Sequence, residues 1–199
     1  MTNHALISLR IGQARIWDVR SRFPPQPQTA LGLPRDMDAL LGIAIHHDGV
    51  LFPAGDRDFS GSTLDEDLER LQAIYQHGLD QGWGGFPYHM VASSNGRTFY
   101  TTAAGLWGAH VALRNDELLG LCLMGNFETA TPLQPQLCAA GLGLVALWHL
   151  VGRLRDVRGH REWALRESPT ACPGDSWWRW QNGLMAAARA QGRLAFPTP

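Results

Sequence analysis

Short apolar runs of strand length alternate in this chain with longer segments of helical spacing. Residues 41–46 and 118–124 are almost wholly apolar, as strands buried inside a sheet are. Residues 88–100 predict a hairpin, with Asn95-Gly96 at its turn. Because strands interleaved with helices form a sheet that the helices cover, the pattern predicts an α/β or α+β domain. We expect the α/β form, a single domain with a central mixed β-sheet flanked by helices.

Three segments predict the helices. Residues 65–77 carry apolar side chains at helical spacing behind an acidic first turn. Residues 134–155 form a longer apolar segment, with Pro132 and Pro135 at its start. A cluster of tryptophans after residue 176 begins a last helix, which we expect to end near Gln191.

The 199 residues are enough for one ordinary domain with a substantial core. Residues 1–38 show neither the apolar pattern of a strand nor the spacing of a helix, and they end in a proline-rich stretch. We therefore expect an irregular N-terminal arm laid over the domain. The domain itself is then expected to span residues 39–192, and residues 193–199 to form a tail.

Composition excludes several classes of function. The formal net charge of −1 gives no global attraction to nucleic acid or to an anionic membrane. No segment reaches the roughly 20 apolar residues that a membrane span needs, and the N-terminus lacks the pattern of a secretory signal. Three widely spaced cysteines argue against a disulfide framework. We therefore expect a soluble protein, synthesised in the cytoplasm without a signal peptide, and assume a monomer.

Residues of the kind that bind metals stand near strand ends. His46 and His47 lie where an apolar strand stops, and His160 and Cys172 flank a distant loop that can fold back on itself. One histidine of the pair, with His160 and Cys172, makes a three-ligand set of the N and S donors that zinc favours. Three protein ligands leave a fourth position for water, as in catalytic sites. Zinc-activated water and a polarised carbonyl are what amide hydrolysis requires.

Each of these residues also has a structural interpretation, and position alone leaves the choice open. A histidine at a strand end is more often a core or surface residue, and a cysteine before proline is more often a small buried one. The zinc-protease pattern HExxH is not in the sequence. Residues 160–162 with Cys172 are weakly similar to the zinc nucleobase deaminases, but Asp175 stands where those enzymes have a second cysteine.

Four motifs occur in the order typical of one family. They are IAIHHDG, GWGGFPYHMVASSNGRTFY, WGAHVALRNDELLGLCLMGNF, and GHREW with SPTACPG, and the match runs from about residue 41 to 180. The chain resembles the N-acetylmuramoyl-L-alanine amidases of the type shared by phage lysozymes with amidase activity and peptidoglycan recognition proteins. The resemblance implies their fold, peptidoglycan or muropeptide as the substrate, and cleavage of the amide between N-acetylmuramic acid and L-alanine.

The resemblance also assigns roles to individual residues. It implies that His46, His160 and Cys172 hold zinc (Zn²⁺). It implies that Tyr88 and Thr170 are catalytic and stabilise the oxyanion of the tetrahedral intermediate. The residues that it places along the substrate cleft are His47, His110 and Asn115.

Two acidic residues depart from the family pattern or lack a clear role in it. No acidic general base stands in the matched positions, so proton transfer is expected through the metal-activated water or through Glu162. Glu162 contributes only if its side chain points inward, and a structural role is equally expected. Asp48 stands where the family has threonine or serine; it either supports a ligand histidine or opens a turn.

The resemblance leaves three biological roles open. A phage or prophage endolysin that reaches the cell wall after release is our first expectation. A cytoplasmic muropeptide-recycling amidase and a non-catalytic recognition module are the alternatives. Because family members that bind without cutting typically lack the cysteine, Cys172 favours an enzyme.

Overall fold

The computed structural model describes residues 7–11, 14–27, 29, 31, 33–49, 61–152 and 156–191. Within these ranges seven strands form one mixed sheet, in the order β1-β2-β5-β4-β6-β3-β7. The strands are β1 (Ile7–Ile11), β2 (Ala14–Asp18), β3 (Gly42–His47), β4 (Met90–Ala92), β5 (Thr98–Tyr100), β6 (Leu118–Leu123) and β7 (Asp156–Gly159). The helices are α1 (Leu64–Asp80), α2 (Gln134–Val151), α3 (His160–Trp163) and α4 (Trp177–Gln191).

Helices cover both faces of the sheet. α2 and α4 pack on one face against Ile43, Ile45 and Leu121, and α1 packs on the other against Val91 and Phe99. The predicted α/β domain with a central mixed sheet is therefore confirmed. The carboxyl ends of the parallel strands β3, β6 and β7 then lie at one edge of the sheet, where α/β proteins commonly bind ligands.

The helix α2 is apolar on all sides because it is a core helix. By length and composition it is the one described helix that is able to span a membrane, but 61% of it is buried inside the domain. Gly141 lets the backbone of α4 approach closely, since a Cβ there would lie 2.7 Å from the amide nitrogen of Ala188. The helix begins directly after Leu133 and is terminated by Gly152, the residue after its last one. Gly152 adopts a positive φ of 76°, a conformation that favours glycine.

Most predicted elements are confirmed, with boundaries set by local hydrogen bonds. The hairpin exists as β4 and β5, and α1 begins one residue before the predicted start. There Thr63 and Glu66 form a reciprocal cap, in which each side chain accepts a hydrogen bond from the other's backbone N–H.

The predicted end of the second helix is wrong. The helix stops at Val151 rather than at residue 155, and residues 156–159 form the strand β7, which the sequence pattern does not indicate. Within the described residues β7 is an edge strand whose one partner is β3, and most of its sequence DVRG is half-buried or exposed. It therefore carries neither the apolar run of a buried strand nor clean alternation.

The expectation of an irregular arm over residues 1–38 is also wrong in part. β1 and β2 form an antiparallel pair, and β2 adds in parallel to β5, with Ile16 opposite Thr98. The sheet thus begins before residue 39. The proline-rich part does lie over the domain, because the Tyr75 hydroxyl donates a 2.7 Å hydrogen bond to the carbonyl of Pro24. The tail 193–199 lies outside the described residues, and the boundaries at 39 and 192 remain predictions.

Candidate metal centre

The parallel pairing of β3 with β7 places two distant histidines side by side. Ile45 of β3 is opposite Gly159 of β7, so the next residues along the two strands, His46 and His160, are neighbours. Their ring centroids are 4.6 Å apart. A contact between residues 114 positions apart in sequence therefore follows from strand register alone.

Only one histidine of the adjacent pair joins this group, because successive side chains of a strand point to opposite faces. His46 is on the face of Ala44, away from the large core that contains Ile43 and Ile45. His47 is on the other face, where its Nδ1 accepts a 3.1 Å hydrogen bond from the amide of Phe127.

Cys172 completes the group from the loop between α3 and α4. The carbonyl of Cys172 accepts a 2.8 Å hydrogen bond from the amide of Arg161, which ties the loop to α3. Its Sγ lies 3.6 Å from Nδ1 of His46. One donor atom from each of His46, His160 and Cys172 lies within 4.8 Å of the other two. The structure thus brings together the three residues that the sequence predicts as ligands.

The donor set fits a tetrahedral zinc ion. Bonds of about 2.0–2.1 Å to nitrogen and about 2.3 Å to sulfur place neighbouring N and S ligands of a tetrahedral ion about 3.6 Å apart. The 3.6 Å between Nδ1 of His46 and Sγ of Cys172 matches that spacing. Two imidazoles and a thiolate are ligands that zinc prefers.

Burial keeps all three groups uncharged in the metal-free protein. It lowers the pKa of His46 well below its ordinary value, and the neighbouring His160 lowers it further. Burial also lowers the pKa of His160 to about 4 and raises the pKa of Cys172 to about 12. The backbone N–H of His47 acts in the opposite direction on Cys172, since it favours the thiolate. Both imidazoles are thus in the neutral form that binds a metal, and the thiol must lose a proton.

The group opens into a cavity of about 190 Å³, whose walls include both predicted catalytic residues, Tyr88 and Thr170. The ring centroids of Tyr88 and His46 are 5.0 Å apart. Burial raises the pKa of Tyr88 well above its ordinary value, so that its hydroxyl stays protonated. Thr170 accepts a 3.1 Å hydrogen bond from the amide of Cys172, a contact that holds its hydroxyl beside the group.

The three residues predicted along the substrate cleft differ in position. His47 and His110 line the cavity. Asn115 is buried, and its Oδ1 accepts hydrogen bonds from the amides of His110 and Val111, at 2.9 and 2.8 Å. It therefore holds the loop that carries His110, and its contact with substrate stays a prediction.

The side chain of Asp48 bonds to Arg70 rather than to a ligand histidine, and the residue after it, Gly49, lies in a turn. Its carboxylate forms a buried bidentate ion pair with Arg70 of α1, at 2.7 Å for both contacts, and also accepts from the amide of Gly125. The pair joins the end of β3 to α1 and to the loop after β6. Arg70 is 22 residues away from Asp48, and nothing in the sequence motifs indicates this pairing.

Glu162 is structural. Its carboxylate accepts a 2.7 Å hydrogen bond from the amide of Gly159 and another from the indole of Trp177. It thereby fixes the start of α3 against the start of α4, directly behind His160.

In sequence, the chain is similar to peptidoglycan-recognition proteins and to an N-acetylmuramoyl-L-alanine amidase. No family model matches the chain. Peptidoglycan-recognition protein SC2 of Drosophila melanogaster is 27% identical over 143 residues, which cover 69% of this chain and 72% of that protein. The N-acetylmuramoyl-L-alanine amidase of Homo sapiens is 28% identical over 149 residues, which cover 73% of this chain and 24% of that longer protein.

Solved structures give the same kind of relatives. The endolysin N-acetylmuramoyl-L-alanine amidase LysCS from Clostridium intestinale URNW superposes with a TM-score of 0.59 at 19% identity, over 85% of this chain and 94% of that one. Bumblebee PGRP-SA superposes with a TM-score of 0.63 at 21% identity, over 84% and 93%. At these identities the superpositions show a shared fold. Together with the sequence relatives, they confirm the resemblance that the four motifs predicted.

Proposed function

We propose that this chain, whose relatives are the type 2 amidases and peptidoglycan-recognition proteins, is a zinc-dependent N-acetylmuramoyl-L-alanine amidase. Its fold supports a function in peptidoglycan hydrolysis or recognition. The observation that carries the choice of hydrolysis is the convergence of His46, His160 and Cys172 at the wall of a cavity that also contains Tyr88 and Thr170.

In this proposal His46, His160 and Cys172 hold the metal. A zinc ion with three protein ligands supplies an activated water and polarises a carbonyl, which are the two requirements for cutting an unreactive amide. The cavity of about 190 Å³ is lined by these three residues together with Tyr88 and Thr170, so a substrate that enters it meets all five side chains.

Tyr88 and Thr170 are proposed to stabilise the oxyanion that develops on the substrate carbonyl. Because the raised pKa of Tyr88 keeps its phenol protonated, the hydroxyl remains a hydrogen-bond donor at neutral pH. The Thr170 oxygen already accepts from the amide of Cys172, so its hydroxyl proton is left to donate. The amide of Cys172 holds Thr170, and the Tyr88 ring lies 5.0 Å from the His46 ring, so both donors are placed beside ligand candidates.

No side-chain carboxylate is proposed as the general base. Among the described residues of the cavity wall, Asp48 is the one carboxylate, and its charge is balanced by Arg70. Glu162 is occupied by the amide of Gly159 and the indole of Trp177, so it is a positioning residue for α3.

Analysis of reaction products tests the proposal. A defined muramoyl-peptide is incubated with the zinc-loaded protein, with the chelated protein and with the variant Cys172→Ala, and the products are identified by mass spectrometry. We expect free sugar and free L-alanyl peptide with the zinc-loaded protein alone. The matched control is Cys138→Ala, which removes a half-buried thiol of α2 outside the cavity and should leave product formation unchanged.

The same experiment separates the enzyme from a recognition module. Intact substrate in every sample, together with measurable binding of the muramoyl-peptide, would contradict hydrolysis and support recognition without cleavage. Products that form equally with chelated protein would contradict the metal dependence.

We further propose that the enzyme is a phage or prophage endolysin, which acts on the wall after release from the cytoplasm. The similarity in fold to an endolysin amidase supports this role. The test compares hydrolysis of purified cell-wall sacculi with hydrolysis of soluble muropeptide fragments. An endolysin solubilises sacculi, whereas activity confined to the fragments would support the recycling alternative.

A further inference from the structure

His110 connects the candidate metal group to the backbone of the sheet. Its Nδ1 lies 3.2 Å from Nε2 of His46, and its Nε2 lies 3.2 Å from the carbonyl oxygen of Leu118 in β6. The ring is thus placed between a predicted ligand and a fixed strand atom. Both of its polar atoms are engaged, although the ring also lines the cavity.

The partners of these atoms determine which nitrogens carry protons. A carbonyl oxygen only accepts hydrogen bonds, so Nε2 of His110 must carry a proton. In a neutral ring Nδ1 of His110 is then the acceptor, and Nε2 of His46 must donate to it. His46 is left with its unprotonated Nδ1 on the other side of the ring, which is the atom 3.6 Å from the Cys172 thiol.

Double protonation of His110 would turn its Nδ1 into a donor and so reverse the hydrogen bond to His46. The surroundings of the ring oppose this second proton. The Arg35 guanidinium is buried nearby and donates to the same Leu118 carbonyl at 2.8 Å. A guanidinium that shares this carbonyl oxygen with Nε2 of His110 opposes a second positive charge on the ring. The neutral ring, with Nδ1 as an acceptor, is therefore the form that the site favours.

Packing fixes the His110 ring as firmly as its hydrogen bonds do. A Cβ on Gly120 would lie 2.9 Å from the ring, and one on Gly108 would lie 3.0 Å from it. Two glycines thus leave the space that the ring fills. Asn115 holds the backbone of the same residue through the amide of His110.

We infer that His110 is a positioning residue for metal binding: it accepts a hydrogen bond from Nε2 of His46 and thereby presents Nδ1 of His46 to the ion. This role is additional to the place along the substrate cleft that the family resemblance implies, which stays a prediction. Supporting partners of this kind orient the ligand ring and raise its basicity. The inference rests on the proposed zinc site, since it assigns a function to a neighbour of one ligand.

Two substitutions of nearly equal size separate the hydrogen bond from the packing. His110→Leu removes the acceptor, and His110→Asn keeps an amide oxygen close to the position of Nδ1. We expect His110→Leu to weaken zinc affinity by 10–100-fold, as loss of such partners does, and His110→Asn to recover most of that loss. Zinc affinity is measured by competition with a chromophoric chelator, and thermal unfolding confirms that each variant is folded.

His77 provides the matched control. It is a histidine of the same cavity wall that packs edge-on against Trp83, and His77→Leu should leave zinc affinity unchanged. Equal zinc affinity of wild type, His110→Leu and His77→Leu would overturn the inference. Loss of affinity in His110→Asn as large as in His110→Leu would overturn it too, because packing alone would then explain the effect.

Nitrogen NMR of the metal-free protein reads the tautomer directly and needs no activity. We expect His46 to be protonated at Nε2 and unprotonated at Nδ1. The opposite tautomer would overturn the inference even where the zinc site exists. Failure of wild type to bind zinc would instead contradict the proposed function, so the two failures are distinguishable.

Discussion

Two buried polar clusters meet at the end of β3, and they differ in how their polar groups are balanced. Asp48 and Arg70 are oppositely charged, and their side chains are only 1% and 3% exposed. Each charge neutralises the other, and the Asp48 carboxylate also accepts a hydrogen bond from the amide of Gly125. His46, His160 and Cys172 are neutral, and their donor atoms converge on one another at a cavity wall. The first cluster balances its charges within itself, whereas the donor atoms of the second are placed to bind a cation.

The difference indicates which cluster serves stability and which serves chemistry. A buried ion pair neutralises its own charges, and removal of one partner leaves an uncompensated charge. A cluster of neutral imidazoles and a thiol costs little to bury and remains available to a metal. Substitutions in the two clusters should therefore affect different measurements.

The largest expected effect is on stability, from the ion pair. Arg70→Met leaves the Asp48 carboxylate buried without its countercharge, and we expect a loss of about 3–5 kcal/mol in the free energy of unfolding. Chemical denaturation measures the loss, and Arg158→Met is the control. Arg158 and Asp156 are 48% and 37% exposed, so this pair should contribute about 1 kcal/mol or less. Similar losses in both variants would contradict the distinction.

The next effect is on catalysis, from a cavity residue. Tyr88→Phe removes a proposed oxyanion donor while keeping the ring against His46, and we expect kcat to fall by about 10²–10³-fold. Zinc content should stay at one ion per chain, as measured by atomic emission. A fall in kcat that parallels a loss of zinc would show that Tyr88 supports the metal rather than the reaction.

Zinc itself should stabilise the fold through the second cluster. At a free concentration about 100 times its Kd, a ligand that binds only the folded protein adds about 2.7 kcal/mol. We expect zinc to raise the free energy of unfolding of wild type and of Arg70→Met by this amount, which is seen as a higher midpoint of thermal unfolding. Cys172→Ala should show no such shift at that concentration, and an undiminished shift would place the ion elsewhere.

The smallest effect is a proton count. At pH 7 both imidazoles are already neutral and the thiol is protonated, since the pKa values of His160 and Cys172 are about 4 and about 12. Zinc binding should therefore release about one proton, and affinity should rise about tenfold per pH unit, equivalent to about 1.4 kcal/mol. The rise continues until the thiol ionises in the free protein. Calorimetry in buffers of different ionisation enthalpy measures the count, and a value near zero would contradict a thiolate ligand.

The sequence predicts the fold where hydrophobic patterns are strong. The buried strand β3, the hairpin and the core helix α2 have clear apolar patterns and are found. The outermost strands of the described sheet, β1 and β7, are missed because a strand that pairs through one side needs no apolar run, and β2, which pairs with β1 and β5, is missed with them. β7 matters most among these, since its register places His160 beside His46.

The site divides in the same way. The three ligand candidates are predictable because they lie in the recognised motifs. The end of the apolar run that forms β3 also predicts the position of His46 and His47 at a strand end. The pairing of Asp48 with Arg70 and the contact of His110 with the Leu118 carbonyl depend on tertiary packing between separate segments. Neither has a local sequence signal, so only the folded chain shows that one acidic residue is occupied and that one histidine supports another.

X-ray absorption spectroscopy of the zinc-loaded protein tests the central claim most directly. The account predicts one sulfur ligand at about 2.3 Å and nitrogen or oxygen ligands at about 2.0 Å, with the sulfur lost in Cys172→Ala. A zinc shell of nitrogen and oxygen alone in the wild-type protein would contradict the assignment of His46, His160 and Cys172 as the metal site.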